Sequence, residues 1–129
     1  MQCIINLHCI IFFFFFYNSV SGSMTFNVTW SHNGPENYIR KFGRIVELNL
    51  YTLKNNAIAE RDMIASIPAG FRPKYAVNAC MLEVGATYGN GIAIVNIQTD
   101  ETTTLNFIVD HKNEGAWRWV IGKVLYIAD

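Results

Sequence analysis

Charge is what this sequence has least of. Asp, Glu, Lys and Arg make up 16% of its 129 residues, against about a quarter in typical soluble domains. The ten acidic and ten basic side chains cancel. No positive surplus is left to neutralise phosphates, which excludes a nucleic-acid binder held by counterion release. Cysteine is equally scarce: Cys3, Cys9 and Cys80. The first two match no zinc spacing, and no His pair follows them. Beyond Met24 only Cys80 remains, so no disulfide can form within that part of the chain. It reads as a buried structural thiol in a strand. Helical periodicity is missing too. From Met24 on, no window of about 11 residues carries a clean 3.6-residue pattern.

Apolar residues are abundant, at 51%, which argues against disorder. The length suits one domain with a core that needs no metal or disulfide staples. So little charge leaves apolar surface to be covered, which points to a partner surface.

The apolar residues are unevenly placed. Phe12 to Phe16 form one run inside Cys3 to Tyr17, and the first 35 residues hold no charged side chain. Three readings fit. A secretory signal would use the small residues Val20-Ser21-Gly22 for cleavage, but it lacks a basic n-region. A membrane span needs roughly 20 apolar residues, and this stretch is shorter and interrupted by Asn6 and His8. A translation start assigned too far upstream would place the true start at Met24. On each reading residues 1-23 stand apart from a domain at 24-129. They are expected to be dispensable, with an unchanged thermal midpoint in a chain starting at Met24.

Beyond Met24 the pattern is alternation between strands and turns. Thr25 to Trp30 places Phe26, Val28 and Trp30 on one face. Tyr38 to Phe42, Arg44 to Leu53, Tyr75 to Val84, Ile92 to Gln98, Thr104 to Val109 and Trp117 to Ile127 are rich in β-branched and aromatic residues. Asn55 to Ser66 reads as a loop feeding a short strand that ends at Pro68. Gly85 to Gly91, Asp100 to Thr103 and His111 to Gly115 are turns. Gly122 interrupts the last strand, as at a bulge or a close backbone approach. Seven to eight short strands imply an all-β, single-domain β-sandwich or barrel of jelly-roll type.

Pro68-Ala69-Gly70-Phe71-Arg72-Pro73 reads as a structural corner. The prolines cannot donate to a ladder, and Gly70 can take positive φ. Phe71 can enter the core while Arg72 reaches outward or pairs with a carboxylate.

The order of motifs carries a resemblance. Trp30 is followed by Tyr38-Ile39-Arg40-Lys41-Phe42-Gly43-Arg44-Ile45-Val46-Glu47-Leu48. Ile64-Ala65-Ser66-Ile67-Pro68-Ala69-Gly70-Phe71-Arg72-Pro73 comes next, and later Gly91-Ile92-Ala93-Ile94. Over residues 28 to 127 this resembles the C-terminal head domains of phage tail fibres and baseplate receptor-binding proteins of Gram-positive hosts and their prophages. In those heads a strand of type R-K-x-G-x-x-V precedes I-A-x-x-P-x-G-[FY]-R-P. One departure is Glu101 after Asp100, where these domains often have Gly; it changes the turn chemistry. The resemblance implies a homotrimer in the virion tail that binds host cell-wall carbohydrate and other tail or baseplate proteins. In such heads the sugar often sits between subunits near the distal loops.

The candidate saccharide-binding residues are Trp117, Trp119, Arg118, His111 and Tyr88. Sugars need aromatic faces for their C–H surfaces and polar groups for their hydroxyls. Trp117 and Trp119 share one face of a strand and Arg118 the other; filling the core is the competing role for both tryptophans. Trp30 beside His32 is a second aromatic pair. No catalytic constellation is visible. The acids that glycoside hydrolysis would need have no distinguishing context. No His-Ser or Cys-His motif occurs, and no Gly-rich phosphate loop. The Asn27-Val28-Thr29 acceptor pattern is common by chance. The reading is therefore a host-recognition module with no enzyme activity, no cofactor, no metal site and no membrane span. A structural trimerisation or fibre-tip domain without ligand is the alternative. A secreted bacterial carbohydrate-binding lectin is another, if the N-terminal stretch is a signal.

Overall fold

The computed structural model describes residues 19–32, 34–54, 61–85, 89–107 and 117–129. They form ten strands and no helix: β1 (Ser19–Gly22), β2 (Thr25–Phe26), β3 (Trp30–Ser31), β4 (Tyr38–Phe42), β5 (Ile45–Lys54), β6 (Asp62–Ser66), β7 (Val77–Gly85), β8 (Gly89–Ile97), β9 (Thr102–Phe107) and β10 (Arg118–Ile127). All pairings are antiparallel, in the order β1-β4-β5-β10-β7-β8-β9-β6-β2, with β3 also on β5. One sheet curls into a half-barrel. The expected all-β class holds, with ten strands among the described residues where seven to eight were expected, because the short N-terminal strands add to the count.

The curl follows from parity. On β5 the even residues Val46, Leu48, Leu50 and Thr52 are buried, and on β10 Arg118, Val120 and Tyr126. On β7 and β8 the odd residues Ala79, Met81, Ala93, Val95 and Ile97 are buried. Registers such as Val120↔Thr52 and Tyr126↔Val46 align these sets on one concave face. Each fully buried Leu, Ile or Val there contributes roughly 1.5–3 kcal/mol. Parity also corrects the reading of Cys80. Its neighbours Ala79 and Met81 face inward, so Cys80 faces out and its thiol is exposed. Gly122 is the close approach its position suggested: an added Cβ would lie 2.6 Å from Met81 Cγ.

The N-terminal strands line the seam of the half-barrel. β1 pairs with β4, β2 with β6, and β3 with the far end of β5. Thr25 to Trp30, expected as one strand, is therefore two. Asn27 Oδ1 accepts hydrogen bonds from the Thr29 backbone N–H (3.1 Å) and hydroxyl (3.0 Å). The Trp30 N–H returns to the Asn27 carbonyl at 2.9 Å. This local turn breaks the alternation and leaves Val28 100% exposed, while Trp30 is only 2% exposed.

Met24, where sequence reading starts the domain, is preceded by β1. Its four residues pair with Ile39 to Phe42, and the Cβ position of Gly22 lies 2.8 Å from the Pro68 ring. A chain starting at Ser19 should melt a few degrees above one starting at Met24, the scale of about 1 kcal/mol in a small domain. Equal midpoints in calorimetry would make β1 dispensable.

Two turns bear on the sequence reading. At the corner, Gly70 has φ 86° and Phe71 is buried. Lys41 Nζ donates to the Gly70 carbonyl at 2.7 Å, and the Tyr126 hydroxyl to the Phe71 carbonyl at 2.7 Å. Arg72 pairs with Asp129 at 3.4 Å. In the β8–β9 hairpin, the Gln98 N–H donates to the Thr102 carbonyl at 2.9 Å, and Glu101 sits at φ 72°. A three-residue hairpin loop calls for a left-handed residue at that place, normally Gly. Glu101→Gly should raise stability by about 1 kcal/mol, because L side chains are strained there. Urea denaturation checks this, and a lower midpoint would sink it.

Candidate functional site

β10 divides the candidate residues between two faces. Trp117, just before the strand, is 44% exposed. Trp119 is half-buried and lies against Tyr51 of β5, ring centroids 5.0 Å apart at 54°. Neither tryptophan belongs to the buried core. Arg118 lies between them in sequence and points the other way, into the half-barrel. It is 1% exposed, and its Nη1 meets Oε1 of the fully buried Glu83 at 2.5 Å. Gly85 makes room for it, since a Cβ there would sit 2.8 Å from Arg118 Nη1. The structure thus brings Trp119 and Tyr51 together and separates Arg118 from both. His111 and Tyr88 lie outside the described residues. Trp30, the other aromatic candidate, is a core residue, while His32 is exposed and stacks on Phe26 with centroids 4.2 Å apart.

The Arg118–Glu83 pair has a second, partly buried charge pair beside it. Lys54, in register with both Arg118 and Trp30, bonds to Asp62 of β6. Its ammonium lies 5.9 Å from the centre of the Trp30 ring. These side chains span the seam at one end of the half-barrel. Two cations and two anions neutralise one another in this cluster.

A third charge cluster lies on the outer face. Glu47 accepts from Arg40 at 2.5 Å and from Lys123 at 2.9 Å. Burial pushes the Glu47 carboxyl upward, but the hydrogen bonds and charges of Arg40 and Lys123 outweigh it and hold it below the usual carboxylate range. Burial alone pushes the Tyr126 hydroxyl up. Among the described residues no group of three His, Cys, Asp or Glu side chains could hold a metal ion. No described helix is long and apolar enough to cross a membrane.

The convex outer face of the sheet changes character along the strands. One row across β5, β10, β7 and β8 reads Tyr51, Ile121, Leu82 and Ile92, and Tyr51, Leu82 and Ile92 are exposed. The Trp119 row lies beside it. Four residues along β7 from Leu82, roughly 13 Å away, the face becomes polar. Asn78, Asn96 and Thr104 form a row across β7, β8 and β9. With Gln98, Asp100 and Arg61 they line an open groove of about 570 Å³. Sequence reading missed this groove. Asn96 and Gln98 share a strand face by parity, which is legible, but their meeting with Asn78 and Thr104 depends on register. Compared with known proteins, the chain matches no family model and no curated protein.

Proposed function

We propose that this chain is a receptor-binding head domain of a phage tail fibre or baseplate protein, a non-catalytic homotrimer of the virion tail that recognises host cell-wall saccharide. The observation that carries the reading is the placement of Trp117 and Trp119 on the outer face, clear of the core, where aromatic rings can meet sugar C–H surfaces. The resemblance over residues 28 to 127 supports it, as does an all-β scaffold whose function would be carried at strand ends and loops.

Trp117→Ala should weaken binding to Gram-positive cell-wall polysaccharide by about 30-fold, on the order of 2 kcal/mol, with the melting midpoint unchanged. Titration calorimetry and thermal melting on the full chain measure both. Light scattering should give three copies per particle. A full chain that binds no envelope fraction would overturn the saccharide reading. The exposed Tyr51, Leu82 and Ile92, in one row with the half-buried Ile121, favour the second reading, a trimerisation or fibre-tip domain without a ligand. In that case the trimer would persist and no polysaccharide would bind.

A further inference from the structure

We infer that the polar groove on the outer face of β7, β8 and β9 is a subsite for the vicinal hydroxyls of a saccharide, with Asn78, Gln98, Asp100 and Arg61 making the contacts. The inference rests on the saccharide reading above for its ligand and moves the hydroxyl contacts away from the tryptophans along the same outer face.

The groove is ordered from beneath by Asn96, which is 8% exposed. Its amide donates to Asn78 Oδ1 at 2.5 Å. Its carbonyl accepts from the Gln98 amide and from the Thr104 hydroxyl at 3.4 Å. This chain of bonds fixes which end of each amide is used. The NH₂ of Asn78 is left to donate, and the carbonyl of Gln98 is left to accept. On the rim, Asp100 Oδ1 accepts from the Thr102 hydroxyl at 2.7 Å and its N–H at 3.3 Å, so Oδ2 remains. Arg61, held at φ 63° at the head of β6, makes no ion pair among the described residues and adds a planar set of donors.

Donors and acceptors therefore alternate around the groove, from the strand residue Asn78 to Gln98, Asp100 and Arg61 at the strand ends. A hydroxyl both donates and accepts, so a diol can satisfy neighbouring groups of opposite polarity. One cation and one anion leave the groove neutral, which does not suit a polyanion. Its polar lining does not suit an apolar ligand. Asn78 and Gln98 are held by their bonds to Asn96, so little ordering entropy of these two side chains opposes binding.

The test has two arms. In the first, ¹⁵N-labelled full chain is titrated with glucose, galactose, rhamnose, N-acetylglucosamine and glycerol, and the side-chain amide resonances are followed. Saturable shifts of Asn78 and Gln98 at millimolar sugar are expected. No shift with any of these probes, or shifts confined to the Trp117 and Trp119 indoles, would overturn the inference. In the second arm, Asn78→Ala and Gln98→Ala should each weaken binding to cell-wall polysaccharide about tenfold while the chain stays folded, the melting midpoint falling by no more than the loss of one hydrogen bond to Asn96. Full binding by both variants would overturn the groove and leave the receptor-binding reading intact. If the unaltered chain binds no cell wall, the receptor-binding reading fails instead, and the sugar titration alone decides the groove.

Discussion

Arg118→Met should destabilise the protein by roughly 3–5 kcal/mol, the cost of leaving one partner of a buried ion pair alone. Arg118 and Glu83 are 1% and 0% exposed, and their contact is 2.5 Å. Met keeps most of the aliphatic stem, so the loss is chiefly electrostatic. A lone Glu83 carboxylate inside the half-barrel would have to stay charged without solvent or take up a proton, and both are costly. Its Oε2 already lacks a hydrogen-bond partner among the described residues. The double variant Glu83→Leu with Arg118→Met should recover most of the loss, since apolar replacements of similar volume are often neutral or stabilising. Urea denaturation of the single and double variants measures both. An unchanged midpoint in the single variant would show that solvent reaches the pair.

Trp30→Ala should cost roughly 3–5 kcal/mol, as for other buried large-to-small changes. Trp30 is placed where β3 meets β5 at the seam, and the Lys54 ammonium lies near its ring. Truncation removes core area and opens the junction between the N-terminal strands and β5. Trp30→Phe should cost far less, within about 1.5 kcal/mol. The indole Nε1 is buried without a partner among the described residues, so Phe also removes an unsatisfied donor. Equal losses in the two variants would point to the indole N–H rather than ring volume as the stabilising feature.

The strands were largely legible because alternation on β5, β7, β8 and β10 is a local property. Val46, Leu48 and Leu50 alternate with Glu47 and Asn49, and a half-buried strand needs nothing more. The corner was legible for a similar reason: Pro and Gly act on their own backbone. Thr25 to Trp30 was misread as one strand because its apolar alternation is real, while the Asn27 side chain captures the backbone of Thr29. Cys80 was misplaced because residue type outweighed parity. β1 was hidden by its composition: Ser19-Val20-Ser21-Gly22 has no apolar alternation, and it is a strand only because β4 offers an open edge.

The candidate site divides along the same line. Alternation put Trp117 and Trp119 on one face and Arg118 on the other, and the structure keeps that division. Which face is the core was not a local matter. It was set when β5 and β7 closed around β10 and gave Arg118 a buried carboxylate from a strand 35 residues away. The groove of Asn78, Asn96 and Thr104 exists only through the β7–β8–β9 register. The sequence by itself therefore determined the all-β class, most strand positions, the corner and the two faces of each strand, because these depend on backbone preferences and side-chain period. The tertiary structure decided the half-barrel curl, the seam formed by the N-terminal strands, the buried Arg118–Glu83 pair and the polar groove. Each of these needs side chains distant in sequence to meet, and only the pairing of strands determines which ones do.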